Sequence, residues 1–431
     1  MKKPLFVISA PFDTYSGYGA RSRDVIKSII KSNKYEVQLL SQKWGNTPWG
    51  FVGDHAEEWG FLQNFLLNPQ QQNPQPDIWM QITVPNEFQP YGKYNIGMTA
   101  GMETTLVDGS WVEGINRMDI NFVSSEHSKK AFMDSVFQKQ NQGKVVGEVK
   151  VQKPIEVLFE GVDINTYFQD DRPCMVDFDI KESFAYLFVG HWMQGNLGED
   201  RKNVGYLIKA FLETFKNTKN APALILKTSG SGASHMDKKA ILKRYYEIRK
   251  TVKGSLPNIY ILHGEFTNEE MNSIYNHSKV KAMISLTKGE GFGRPLLEFS
   301  LSKKPIIASA WSGHMDFLHP EYNVFINGKL KNVDQSAVVP NMILPESKWF
   351  TPNHSEVGTA LKDVYKNYKK YSDLGKRQAH YSKTNFSWDK MDKKLLDYLD
   401  KNIPTFAQQV NLTLPDLGVK KPNKLELPKL K

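Results

Sequence analysis

The stretch richest in chemistry is Gly289-Glu290-Gly291-Phe292-Gly293-Arg294-Pro295-Leu296-Leu297-Glu298. An apolar run, Val280 to Leu286, precedes it and reads as a strand; Phe299 to Ser302 continues it as helix. Gly289, Gly291 and Gly293 permit unusual backbone angles and close approach of a ligand. Pro295 suits the first turn of a helix, where its missing N–H costs nothing. The free amides at that helix start favour an anion such as phosphate. Carboxylates would repel phosphate, so Glu290 and Glu298 are better matched to the hydroxyls of a sugar or ribose. Amides for phosphate and carboxylates for hydroxyls together suit a nucleotide-sugar. The plainer reading has Glu290 capping the helix and Glu298 on the surface.

A second chemical cluster is Arg201-Lys202-Asn203, just before an amphipathic segment with Leu207, Ile208, Phe211 and Leu212. Two cations at a helix start oppose the helix dipole. A bound diphosphate would relieve that conflict.

The Glu290-x7-Glu298 spacing with Gly-Phe-Gly inside it, followed by Pro305-Ile306-Ile307-Ala308-Ser309 and Ser312-Gly313, resembles the group 1 family of retaining glycosyltransferases, whose two-domain architecture is called GT-B. The resemblance spans about residues 5 to 400. It implies that Lys202, with Arg201, holds the donor phosphates. It implies that Glu298 binds ribose hydroxyls and Glu290 the donor sugar. Gly291, Phe292 and Gly293 would shape the sugar pocket through backbone contacts, with Arg294, Pro295 and Leu296 beside them at the nucleotide-sugar. Phe266 would flank the base. His191 stands where relatives often have Arg. In the first half the matching glycine loop holds Gly17, Gly19 and Arg21 and faces the inter-domain cleft; a simple tight turn is the other reading. Glu103, in Glu103-Thr104, would be an acceptor-hydroxyl ligand or base. Glu160 departs from the Asn or His usual in relatives, which puts its role in question.

Around these residues the chain reads as alternating strands and helices. Leu5–Ile8, Glu36–Leu40, Asp77–Ile82, Asn95–Met98 and the run from Phe122 are expected strands of a first domain; Phe184–Gly190 and Ala223–Thr228 belong to a second, and Ile259 to Phe266 resembles the family's strand-to-loop segment around the nucleotide base. Ser125 is placed to cap the helix carrying Lys129 and Lys130. Residues 44–76 are an aromatic excursion with Trp44, Trp49, Phe51, Trp59, Phe61, Phe65 and Gln70-Gln71-Gln72, readable as an acceptor groove or as local packing.

With 431 residues, 40% hydrophobic and 24% charged, the chain has room for two or three domains of ordinary globular composition. No apolar run approaches the roughly 20 residues that span a bilayer. Cys174 is the only cysteine, which excludes an intramolecular disulfide and fits a reducing cytoplasm. The net charge of +10 is uneven: residues 1–180 hold 17 Lys/Arg against 22 Asp/Glu, so the second half carries +15. That half is the expected partner for anions. The basic run Lys238 to Lys253 reads as a solvated helix face or a phosphate-backbone contact.

The expected fold is α/β, GT-B: two doubly wound Rossmann-like domains at 1–178 and 179–385, a helix at 386–402 crossing back to the first, and a Pro- and Lys-rich tail at 403–431. The expected activity is retaining transfer from a nucleoside-diphosphate sugar, a UDP-sugar foremost. No Asp-x-Asp motif occupies a site loop, so neither metal nor cofactor is expected. For the acceptor, a looser likeness in general character runs to phage DNA-modifying sugar transferases, making a hydroxymethylated base in duplex DNA the first reading. The acidic first domain speaks against it. The alternatives are a cytoplasmic saccharide transferase of surface-polysaccharide or lipid-linked glycan synthesis, and a non-catalytic nucleotide-sugar-binding protein.

Overall fold

The computed structural model describes residues 3–406 except 69, 71–73, 142, 143, 231 and 233. Most of the expected Pro/Lys-rich tail, from residue 407, lies outside the described residues, as do Gln71 and Gln72.

Two six-stranded parallel sheets form the framework. The first runs Glu36–Ser41, Leu5–Ala10, Ile78–Ile82, Tyr94–Met98, Ile120–Val123, Ile155–Val157. The second runs Ile259–Leu262, Ala223–Lys227, Ala185–Val189, Val280–Ser285, Ile306–Ser309, Val324–Ile326. Helices cover both faces of such sheets, so the central strands are apolar throughout rather than alternating. Ala185 to Phe188 and Ala282 to Ile284 are fully or almost fully buried. In each sheet the order of strands reverses once, flanking Leu5–Ala10 in the first and lying between Ala185–Val189 and Val280–Ser285 in the second. Loops leaving the carboxyl ends at such a switch point splay apart and leave a crevice. The expected pair of doubly wound domains, the GT-B arrangement, is therefore present.

The chain passes from the first domain to the second through residues 158–183. Helix Trp388–Asn402 then lies against helix Gly17–Ser32 of the first domain. Its Met391, Leu395 and Leu399 are buried in a core that also takes in Phe6, Leu158, Leu187 and Phe292. Val162 and Trp388 exchange backbone hydrogen bonds with the opposite segment, and a Cβ at Gly161 would lie 2.6 Å from the Trp388 Cα. Among the described residues no helix is long and apolar enough to cross a membrane.

The described part of the aromatic excursion packs Val52, Trp59 and Leu62 into the first domain's core. It forms three short helical turns, Phe51–Asp54, Ala56–Trp59 and Gly60–Phe65. The Arg23 guanidinium lies 3.4 Å from the Phe51 ring centre, and Trp44 stacks on Tyr18 at 3.9 Å. Trp49 and Phe61 remain exposed. The antiparallel hairpin Phe137–Asn141 with Lys144–Val149 has no counterpart in the sequence reading.

Candidate functional site

Two loops of the second domain meet at its switch point. One leaves strand Ala185–Val189 and ends at helix Val204–Phe215. Asn203 stands at the start of that helix in a left-handed conformation, and Asp200, not Asn203, accepts from the Val204 amide at 2.9 Å. Arg201 and Lys202 are thereby turned back over the strand ends. The other loop leaves Val280–Ser285 and holds Glu290, whose amide donates to the Ser312 hydroxyl at 2.9 Å and whose carbonyl accepts from Gly313.

The loops are joined by charge. Lys202 Nζ is 2.5 Å from Glu290 Oε1, and Arg201 Nη1 is 3.5 Å from Glu290 Oε2. Both partners of the first pair are buried. Burial alone would raise the Glu290 carboxyl; Lys202 and Arg201 outweigh it and hold the group at about 2. Asp200 at the helix start and Glu290 across from it thus set negative charge beside the two cations. Lys288 reinforces the junction: its amide donates to the Arg201 carbonyl at 2.8 Å, and its fully buried Nζ sits 3.1 Å from Glu199.

The first domain closes over this junction. Arg201 Nη1 also lies 3.4 Å from Glu103 Oε1, so one guanidinium faces a carboxylate of each domain. A Cβ at Gly289 would lie 1.8 Å from the Glu103 carbonyl oxygen, and one at Gly291 would lie 2.6 Å from that of Ala100. The Gly291 carbonyl accepts from Ser125 Oγ at 2.5 Å and from Ser124 Oγ at 3.1 Å. At these two glycines the first domain's backbone fills the space on the Cβ side, so neither position has room for a larger residue. Gly293 differs: it takes φ +104° and starts helix Arg294–Ser300, a conformation that side chains rarely adopt. Ser125 caps helix Glu126–Asp134 as expected, and Asp316 of the second domain accepts from the Glu126 amide at 2.9 Å across the interface.

Lys202, Glu290, Gly293, Pro295 and Leu296 line one small pocket with Val189, Met283 and Ser285. Phe292 turns its ring away, into the core against Phe317 at 4.9 Å. Glu298 belongs to a neighbouring cluster: Oε1 is 3.3 Å from Arg294 Nε, and Oε2 accepts from Tyr275 at 3.2 Å. Burial pushes its carboxyl above the ordinary value despite Arg294. His191 is solvent-accessible, with Nδ1 3.0 Å from Ser229 Oγ. The protein mass around it, then Lys202, Lys227 and Arg201, lower its imidazole. Phe266 is half-buried with Lys227 Nζ 5.5 Å from its ring centre.

On the first-domain side, Gly17 has open space where a Cβ would stand. Gly19 does not: its Cβ position is 2.3 Å from the Thr14 carbonyl oxygen, so the turn requires a glycine there. Arg21 is buried and donates to the carbonyls of Leu158 and Phe159 at 2.6 and 3.0 Å, a structural strut rather than a cleft-facing group.

Several residues at the site escaped the sequence reading. Tyr18, between the two glycines, bonds Thr99 and the Ala100 amide. His314 is fully buried under Gly293. Thr105, two residues from Glu103, exchanges hydrogen bonds at 2.9 Å each with Lys348, the first residue of a strand whose sequence, Lys348 to Pro352, matches a landmark of the resemblance. Only the neighbourhood of Tyr18 to Gly19 and of His314 to Gly313 could have drawn attention to the first two.

Residues 187–337 match the model of the family described as Glycosyl transferases group 1. No curated protein matches the sequence. Among solved structures, sucrose-phosphate synthase from Thermosynechococcus elongatus is similar at 11% identity and TM-score 0.58, covering 93% of this chain and 99% of that one. A glycosyltransferase from Rickettsia africae gives 13% identity and TM-score 0.58 over the same shares. HepE of Anabaena, in complex with UDP-glucose, gives 10% and 0.53 over 92% and 100%. These identities speak for the fold. The resemblance read from the Glu290 motif is thus borne out: residues 187–337 match the group 1 glycosyltransferases, in a chain of GT-B fold.

Proposed function

We propose that the protein transfers a sugar from a nucleoside-diphosphate sugar to a hydroxyl acceptor with retention of anomeric configuration. The observation that carries this reading is the meeting of Lys202, Arg201 and Glu290 at the switch point, with Glu103 facing them from the other domain. Lys202 and Arg201 stabilise the departing diphosphate, charge placed where charge develops in the transition state. Glu290 binds the donor-sugar hydroxyls and Glu298 the ribose. Glu103 meets the acceptor hydroxyl. No nucleophile is assigned, since retention in this family does not require a covalent enzyme intermediate. The two cations supply the positive charge at the diphosphate, so neither a divalent ion nor another cofactor enters this reading. A uridine nucleotide is favoured, supported by the similarity to HepE, whose structure holds UDP-glucose. The test is release of sugar from a panel of UDP-, GDP- and ADP-sugars. Hydrolysis of one class, lost in Lys202→Ala, supports the reading; no turnover of any removes it.

For the acceptor we infer a hydroxymethylated base in DNA. The charge of +15 beyond residue 180, more than a diphosphate requires, supports it. Duplex DNA binding that weakens steeply with salt is the expected result; no binding at low salt would end the inference. The acidic first domain favours instead a saccharide acceptor, and the similar structure of WaaG is described as a glycosyltransferase involved in lipopolysaccharide biosynthesis.

A further inference from the structure

Arg294 stands at a second junction between the domains, distinct from that of Lys202. Its Nη1 is 2.8 Å from Asp24 Oδ2 on helix Gly17–Ser32 of the first domain. The same nitrogen is 3.7 Å from Glu160 Oε2, on the segment that leaves the first domain. Its Nε reaches Glu298 Oε1 within its own helix, at 3.3 Å. One guanidinium thus holds three carboxylates from three parts of the chain. Arg21, one turn before Asp24 on the same helix, donates to the Leu158 and Phe159 carbonyls and fixes the strand of chain that presents Glu160. The side chains of Asp24, Glu160 and Glu298 are 15%, 9% and 12% exposed, so water does little to screen them from one another.

From this arrangement we propose that Arg294 and Glu160 form a cross-domain clamp, in which Arg294 is a positioning residue that aims Glu298 and holds the cleft closed. This rests on the proposed donor site, where Glu298 receives the ribose. It gives Glu160, where relatives usually carry Asn or His, a partner that the sequence did not reveal. Three buried carboxylates around one side chain need a cation whose donors are spread and fixed. A guanidinium offers Nε and Nη at set angles, whereas an ammonium is a single point of charge. Lysine at 294 would reach Glu298 or Asp24 and abandon the other. Without Arg294 the three carboxylates repel across the interface, and the domains separate to let water reach them.

The test uses the full chain and the variants Arg294→Lys, Arg294→Met, Glu160→Gln and the double Arg294→Met/Glu160→Gln. Binding of UDP, GDP and ADP is read by calorimetry, domain separation by the scattering radius of gyration, and folding by thermal melts. For whichever nucleotide the wild type binds, Arg294→Lys and Arg294→Met are expected to weaken affinity about tenfold and enlarge the radius. The double variant is expected to be no weaker than Arg294→Met alone, because the two residues act through one contact. Wild-type affinity and radius in Arg294→Lys and Glu160→Gln would overturn the clamp, as would multiplying effects in the double variant. If the wild type binds none of the three nucleotides, the donor reading fails; the radius of Arg294→Lys then still decides the clamp. Should Arg294→Met not fold, Arg294→Lys and Glu160→Gln carry the same test.

Discussion

Lys202 Nζ and Glu290 Oε1 meet at 2.5 Å from opposite sides of the switch point of the second sheet. Each is held by its own loop, Lys202 through the Asp200 cap of the following helix and Glu290 through Ser312. The pair joins the two loops, and in the function proposed above it also places a cation and an anion at the sugar diphosphate.

These two roles can be separated. Breaking a buried pair by removing one partner costs about 3–5 kcal/mol, because the other charge is left unpaired. Glu290→Gln and Lys202→Met should each lose stability and at least about a hundredfold in donor turnover, since each removes transition-state electrostatics. The double variant should regain stability and remain inactive. Denaturant melts and sugar-nucleotide hydrolysis on the three proteins check this; recovery of turnover in the double variant would remove both residues from the chemistry.

Divalent ions provide a second check. With Lys202 and Arg201 at the diphosphate, donor turnover should be unchanged by EDTA and by added magnesium. A tenfold fall in EDTA, restored by magnesium, would place a metal in the reaction.

The glycine spacing should govern closure. A methyl at Gly289 would fall 1.8 Å from the Glu103 carbonyl, a contact that only backbone movement relieves. Gly289→Ala should open the cleft, raising the radius of gyration and lowering kcat/KM by about tenfold or more. A Gly17→Ala control, with open space at its Cβ position, should leave the radius unchanged.

Asp316 should make the interface pH-sensitive. Burial raises its carboxyl from 3.8 to about 6, with a smaller push from the Glu126 charge, against the lowering effect of the hydrogen bond it accepts from the Glu126 amide. A raised acid contributes its stability in the protonated form: in full below about pH 4, lost as pH rises through 6. Asp316→Asn, which never ionises, should therefore gain stability relative to the wild type between pH 4 and pH 7. Urea melts across that window would show a widening difference; a constant one would contradict the assignment.

What the sequence made legible follows from locality. Strands such as Ala185–Val189 are unbroken apolar runs ended by glycine, and helix Arg294–Ser300 announces itself by Gly293 and Pro295. Glu290 and Lys202 are each marked by local chemistry, a glycine-rich turn and a cation at a helix start, but their 2.5 Å contact across 88 residues could not be read from the sequence. What stayed hidden depends on contacts distant in sequence. That Gly289 and Gly291 are required by close approach of the first domain's backbone could not be read from their spacing. Nothing in the sequence reveals the contact of Arg294 with Asp24, 270 residues away. The hairpin Phe137–Asn141 with Lys144–Val149 carries few apolar side chains and no clean alternation, so periodicity could not mark it.

The most direct test of the central claim is thermal stabilisation by nucleoside-diphosphate sugars in the wild type and in Lys202→Ala. Saturation at a hundred times Kd stabilises a folded protein by about 2.7 kcal/mol. The expected result is a clear rise in melting temperature with one nucleotide class in the wild type, and little or none in Lys202→Ala. An equal rise in both proteins, or none in the wild type with any member of the panel, would contradict a donor site built on Lys202 and Glu290.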